Sequence, residues 1–153
     1  MSALFKKLNL GTQDTIHVLN APESFEPELA ALQGVTVKRS VGVSSAFAMA
    51  FVITQAELDA ASRKLAAACT GDAVLWMVYP KGTSRKYKCE FNRDSGWLVL
   101  GAAGFEPVRM VAIDEDWSAL RFRRVAHIKS LTRSPGGAIS KEGKRKTTAR
   151  GKS

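Results

Sequence analysis

Cysteine and histidine are scarce in this chain, with two of each among 153 residues. Cys69 and Cys89 lack metal-binding spacing, and nothing in the sequence places either beside His17 or His127 as nucleophile and base. In the reducing cytosol no structural disulfide between the two cysteines is expected. Long apolar runs are absent as well. The longest, residues 46–53 (AFAMAFVI), is far below the roughly 20 residues that a membrane-spanning helix needs. The opening MSALFKKLNLG has two lysines but no apolar stretch after them, so no secretory signal is read there. A soluble, cytoplasmic protein without a membrane partner is expected.

Acidic residues are nearly missing from one end. From Lys129 onward eight basic residues stand against Glu142 alone, which accounts for +7 of the net charge of +9. This segment is polar, carries glycine and proline, and has no apolar periodicity, so disorder is expected. The chain thus divides into a folded domain over residues 1–128 and a basic tail over 129–153. Lys141, Lys144, Arg145, Lys146, Arg150 and Lys152 are the tail's candidates for contact with nucleic acid or another polyanion. Such contact would follow charge without sequence specificity, and the alternative is a solvated tail with no role.

What is present before the tail alternates between strand and helix patterns. Residues 15–20 (TIHVLN) read as a buried strand. A short helix follows, with Phe25, Leu29 and Leu32 on one face, Ser24 as N-cap, Pro27 in the first turn and Gly34 as stop. Residues 35–41 and 47–53 read as the next two strands. Residues 54–71 are the strongest helix, where Thr54 and Glu57 form a capping box and Leu58, Ala61, Leu65 and Ala68 share a face. Residues 73–80 are apolar throughout, as in a strand covered on both sides. A basic loop follows, then a helix around residues 94–104 and two strands, 106–113 and 118–124. Their short joint implies an antiparallel hairpin. The fold class is α/β: a single Rossmann-like three-layer domain whose mostly parallel sheet ends in an antiparallel hairpin.

A helix closing on AAG, a strand, a tight turn and the returning strand WSALRFRR resemble the C-terminal third of Rossmann-like methyltransferases. In those proteins the last strand turns back and inserts antiparallel beside its neighbour. Residues 51–81 are similar to the middle of that fold. The resemblance makes residues 15–20 the first strand and leaves one strand or helix of the usual first half shortened or absent. At motif level YPKGTS (79–84) and DEDWSALRF (114–122) resemble a family of small bacterial proteins classed as a domain of unknown function, over roughly residues 4–126. That resemblance implies the fold and a bacterial origin, and brings no activity.

Ligands of open α/β sheets bind outside the carboxyl ends of the strands. Residues 20–24, Thr54, residues 80–88 and the hairpin DEDWS should meet there. The first of these turns has no glycine. A dinucleotide or methyl-donor site wants glycine there, so that backbone can approach the ligand, and Pro22 with its neighbours' Cβ atoms removes that freedom. Glu23, Glu26 and Glu28 also put carboxylates where a phosphate would gain from the helix dipole. S-adenosylmethionine and NAD are therefore disfavoured and no cofactor is expected. Asn20 or Glu23 could still hold a neutral or cationic ligand; alternatively the glutamates only satisfy the dipole.

The loop PKGTSRKYKCEFNR is the stronger candidate. It combines Lys81, Arg85, Lys86 and Lys88 with Thr83, Ser84 and Tyr87, and it does not match a P-loop. With Tyr87 and Phe91 it suits a phosphorylated ligand or a stacked single-stranded base; the alternative is a solvated loop paired with the acidic hairpin. Asp114, Glu115 and Asp116 are adjacent in a turn and so neither an acid–base pair nor, alone, a metal site. Asp116 is expected to brace the turn or to pair with Lys81 or Arg85, and Trp117 to cover the end of the sheet. Trp76 and Trp97 are expected in the core. The ligand-cleft candidates are Asn20, Glu23, Ser24, Lys81, Thr83, Ser84, Arg85, Asp116 and Trp117, with no catalytic residue and no metal assigned. The preferred reading is a binding module that has lost a cofactor turn. The alternative is a small enzyme, methyltransferase-like or acting on a phosphorylated ligand, that uses the same cleft.

Overall fold

The computed structural model describes residues 3–128. The tail candidates Lys141, Lys144, Arg145, Lys146, Arg150 and Lys152 lie outside the described residues. Along the chain come α1 (Ala3–Lys7), β1 (Thr15–Leu19), a 3-10 turn (Glu23–Phe25) running into α2 (Glu26–Ala30), and β2 (Thr36–Lys38). They are followed by β3 (Phe47–Phe51), α3 (Gln55–Ala68), β4 (Val74–Pro80), α4 (Leu98–Ala102), β5 (Phe105–Ala112) and β6 (Trp117–Arg124). The six strands form one sheet in the order β2-β1-β3-β4-β6-β5. β1 pairs in parallel with β2 and β3, and β3 with β4. β6 inserts antiparallel between β4 and β5.

Burial explains the order. Every residue of β3 and β4 is buried, as their unbroken apolar runs require, so these strands take the centre with cover on both sides. On one side α3 and α4 place Leu58, Leu65 and Leu100 against Ala50, Leu75 and Met77. On the other, α1 and the segment through α2 place Phe5, Leu8, Phe25 and Leu29 against Ile16, Met49 and Trp76. The result is the expected three-layer α/β domain with a mostly parallel sheet. No helix among the described residues is long and apolar enough to cross a membrane.

The capping box of α3 is formed as its sequence implies. Thr54 Oγ1 accepts from the Glu57 N–H at 3.1 Å, and Glu57 Oε1 accepts from the Thr54 N–H at 2.9 Å. That backbone donor, with the Ile53 N–H beside it, holds the Glu57 carboxyl below its usual range. Pro27 lies in the first turn of α2, where its missing N–H costs nothing.

Four local expectations are corrected. Ser24 caps no helix: it lies exposed inside the 3-10 turn, whose preceding residue is Pro22, and no side chain caps either segment. β2 stops at Lys38, because only three residues find a partner in β1 at this edge of the sheet. The helix around 94–104 shrinks to α4. Trp97 stays outside it, since its indole N–H donates to the Asn92 and Arg93 carbonyls at 2.9 and 3.0 Å. Finally α1 forms where no element was read. Phe5 and Leu8 are fully buried, and the Trp76 indole donates to the Leu8 carbonyl at 2.8 Å.

Candidate functional site

β1 and β3 are neighbours, with β2 on the far side of β1, so the chain changes building direction between them. The crevice at that switch point is where open α/β sheets bind ligands. The turn leaving β1 takes a left-handed step at Asn20, φ 59°. Asparagine tolerates this conformation better than other residues with a Cβ, so the step a glycine would make occurs without one. Pro22 is extended, and Glu23 and Ser24 are exposed on the 3-10 turn that follows. Both carboxylate oxygens of Glu26 accept from Arg39, at 2.6 Å each, just past the end of β2. The guanidinium holds the Glu26 carboxyl below its usual range. The pair is about half exposed, so its part is to fix where α2 sits rather than to stabilise the fold.

An open crevice of about 630 Å³ opens beside this turn, lined by Asn20, Arg39, Gly42, Glu57, Ala60 and Lys64. Arg39, Gly42 and Lys64 were not among the sequence candidates. The signal for Arg39 and Gly42 was the eight-residue stretch RSVGVSSA (39–46) between a short strand and a central one at the switch point, whereas Lys64 lies on α3.

The second group gathers at the ends of β4 and β6. The Lys81 N–H donates to the Asp116 carbonyl at 2.8 Å, and the Ser84 hydroxyl donates to Asp116 Oδ1 at 2.8 Å. The same hydroxyl oxygen accepts from the Lys86 and Tyr87 N–H groups, each at 3.2 Å. Ser84 and Asp116 are therefore brought together, while the expected pairing of Asp116 with the Lys81 or Arg85 side chain is replaced by these bonds. The turn is braced by Asp114 instead, whose Oδ1 accepts from the Asp116 and Trp117 N–H groups at 2.8 and 2.9 Å. The far end of the loop is tied to α3. Glu90 Oε1 accepts from the Gln55 N–H at 2.8 Å, and Gln55 Nε2 donates to the Gly96 carbonyl at 2.8 Å.

A loop fixed at both ends encloses an open cleft of about 890 Å³, rimmed by Lys81, Arg85, Lys86, Lys88 and Arg93. Glu90 is the one carboxylate lining it, and that carboxylate is occupied by Gln55. Among the described residues the ion pairs are Arg39–Glu26 and Arg123–Asp72, so none of the five cations has a carboxylate partner. Thr83 is exposed on the same rim.

The aromatic part of the expected site is corrected. Phe91 is 6% exposed and packs against Tyr79 and Trp97, so it offers no face to a base. Trp117 is buried against Phe51 and Tyr87, with centroids at 5.2 and 4.9 Å, and belongs to the core at the end of the sheet. Tyr87 has Trp117 on one side and the Lys86 ammonium 5.5 Å from its ring centre. What remains at the surface is charge rather than a stacking platform.

No activated nucleophile faces the cleft. Burial pushes the Tyr79 phenol up to about 12 and raises the Cys89 thiol, so both are neutral at pH 7. Cys69 is buried elsewhere and pushed up to about 11. His17 meets neither cysteine. Its Nδ1 lies 2.7 Å from Ser45 Oγ, which donates to the Phe47 carbonyl at 2.9 Å and so leaves His17 as the donor, a structural arrangement. Among the described residues no group of three or more His, Cys, Asp or Glu is gathered as a metal site would require.

The two groups of candidates are separate. Asn20, Glu23 and Ser24 lie beyond β1, while Lys81, Thr83, Ser84, Arg85 and Asp116 lie beyond β4 and β6, with β3 between. Two strand spacings, roughly 10 Å, divide them.

No protein-family model matches the chain, and no curated protein matches it. Among solved structures it is similar to the N-methyltransferase NodS from Bradyrhizobium japonicum WM9, at 10% identity and TM-score 0.47, over 79% of this chain and 92% of that one. It is also similar to the pyocyanin biosynthetic protein PhzM, at 11% identity and TM-score 0.44, over 76% of this chain and 52% of that one. Neither likeness transfers an activity to this chain.

Proposed function

We propose that this chain is an anion-binding module that holds a phosphate-bearing ligand in the cleft of residues 81–93 and uses no nucleotide cofactor. One observation carries the reading: five cations without carboxylate partners rim a loop already fixed by Ser84–Asp116 at one end and Gln55–Glu90 at the other. Cations held close together gain from an anion placed among them, and a loop ordered beforehand loses little entropy on binding. The residues at the switch point fit S-adenosylmethionine or NAD poorly. The left-handed step carries the Asn20 Cβ, and Glu23, Glu26 and Glu28 occupy the start of the short helical segment. The basic tail would add affinity for polyanions through charge alone. This suits a small cytoplasmic bacterial protein of the domain-of-unknown-function type that YPKGTS and DEDWSALRF resemble.

Calorimetric titration with inorganic pyrophosphate tests the reading. Saturable binding is expected, weakened about ten-fold or more when Lys81, Arg85 and Lys86 are changed to serine. Equal affinity of the folded triple variant would overturn it. A second reading, a small methyltransferase-like enzyme, is favoured by the 630 Å³ crevice at the switch point. Titration with S-adenosylmethionine separates the two: no thermal shift is expected, and saturable micromolar binding would favour the enzyme.

A further inference from the structure

We propose that the face of the β5–β6 hairpin opposite α3 and α4 is a second anion surface, built on Arg109 and Arg121, that binds the phosphate backbone of a nucleic-acid strand. In the sheet register Arg121 stands between Trp76 of β4 and Arg109 of β5. Alternation along the strands puts both arginines on the same face as Trp76, Val111 and Ala119. Arg123, two residues further along β6, joins them.

The charges on this face do not balance. Asp72 accepts two bonds from Arg123, at 2.9 and 2.7 Å, and Glu106 is registered opposite the same arginine. His127 also lies close enough to Asp72 to help hold its carboxyl below the usual range. Arg109 and Arg121 are left facing each other across the strands, each without an ion pair, an arrangement that weakens a sheet. The Arg121 Nε atom is buried and has no hydrogen-bond partner. Burial and the neighbouring Arg123 and Arg109 lower the Arg121 pKa, while Asp72 offsets part of that. An oxyanion seated between the two guanidinium groups would accept from their terminal N–H groups and relieve the repulsion, and the planar fork of arginine is suited to it.

This surface is not the cleft. Along β6, Arg121, paired with Arg109, lies roughly 13 Å from Trp117 at the cleft end. The chain leaves the described region at Ile128, directly after the Val125–His127 turn, so the sequence that continues from this end is the basic one. A fold-borne arginine pair at the root of a segment with net charge +7 matches an extended polyanion better than a single small ion. The partner is not a protein surface of ordinary kind, which would need an apolar centre. Among the described residues the exposed large hydrophobic ones are Val43, Leu98 and Met110, and Met110 projects to the opposite side of β5 in register with Leu120. Phosphate contacts need no such centre.

Fluorescence anisotropy of the full chain with a labelled single-stranded oligonucleotide, repeated over a range of salt, tests the proposal. Arg109→Ser with Arg121→Ser should weaken binding about ten-fold at low salt and reduce the slope of log K against log salt by about 1–2. Arg109→Lys with Arg121→Lys should keep the slope. Arg109→Ser alone, at an exposed edge position, gives the same sign of effect should the double variant fail to fold. The double variant should still bind pyrophosphate in the cleft, which separates failure here from failure of the cleft reading. An unchanged slope in a folded double variant would overturn the proposal, as would polyglutamate competing as well as unlabelled oligonucleotide.

Discussion

Gly96 links the basic loop to the core, and replacing it with alanine should cost more than the same change at Gly71 or Gly82. Its φ is +99°, and a Cβ there would stand 2.7 Å from the Phe91 Cβ and 2.9 Å from Gln55 Oε1. The backbone conformation alone costs an L residue roughly 1–3 kcal/mol. The clash adds roughly 1–3 kcal/mol, because Phe91 is wedged between Tyr79 and Trp97 and cannot move freely. The Gln55 amide cannot simply rotate away, since it donates to Asp59 and to the Gly96 carbonyl. A total of roughly 2–6 kcal/mol follows, and at about 3–5 °C per kcal/mol for a domain of this size the melting temperature should fall well beyond experimental scatter. Gly71→Ala supplies the control for conformation alone: φ is +62° and nothing lies within 4 Å of the added Cβ, so about 1 kcal/mol is expected. Gly82→Ala meets neither penalty and should be neutral, or stabilising by about 0.4–1 kcal/mol. Thermal unfolding followed by circular dichroism ranks the three. If Gly96→Ala costs no more than Gly71→Ala, Phe91 and Gln55 do not hold the loop as described.

Other substitutions test the elements that place the two sites. Thr54→Ala should cost about 1 kcal/mol by removing the acceptor for the Glu57 N–H, measured by urea unfolding. Glu57 has a folded pKa below its ordinary value of 4.5, so its contribution is fully present above that pH and is lost as pH falls through the folded value. Glu57→Gln should therefore flatten the acid limb of a stability profile below about pH 4.5, and an unchanged limb would contradict the capping geometry. Trp76→Phe removes the donor to the buried Leu8 carbonyl and should cost about 1–3 kcal/mol, with faster hydrogen exchange in α1 as the local readout. Ser84→Ala frees the loop from Asp116 and should weaken pyrophosphate binding in calorimetry while costing about 1 kcal/mol of stability.

Most of the architecture was legible because its causes are local. The apolar runs of β3 and β4, the capping box at Thr54 and the short joint between β5 and β6 each act through a few neighbouring residues. What escaped depends on partners distant in sequence. α1 is too short to stand by propensity and exists because Phe5 packs on Phe25 and Phe47 and Leu8 meets the Trp76 indole. Phe91 looked available because a basic loop surrounds it; only the meeting of β4 with the segment before α4 shows that Tyr79 and Trp97 enclose it. The same holds for the sites. Lys81, Arg85 and Ser84 could be named from loop composition, but the Ser84–Asp116 bond spans 32 residues and the Arg39–Glu26 pair 13. The opposition of Arg109 and Arg121 requires the register of the hairpin, which a bulge between Pro107 and Arg109 shifts by a residue.

The turn after β1 makes a left-handed step without a glycine. The left-handed residue there is Asn20, so the step carries a Cβ that glycine would lack. Beyond it the helical segment is brief, and Glu26 at the start of α2 is bound by Arg39 from the end of β2. The Glu26 carboxylate thus meets a cation within the protein. At the ends of β4 and β6 the opposite holds. Asp116 and Glu90 bond a hydroxyl and a backbone N–H rather than the nearby lysines and arginines, so the positive charge there stays uncompensated. Had those two carboxylates paired with Arg85 and Lys88, two of the five cations would be engaged within the protein. The order of the loop and its charge are therefore separable properties, and the proposed binding of an anion rests on the second.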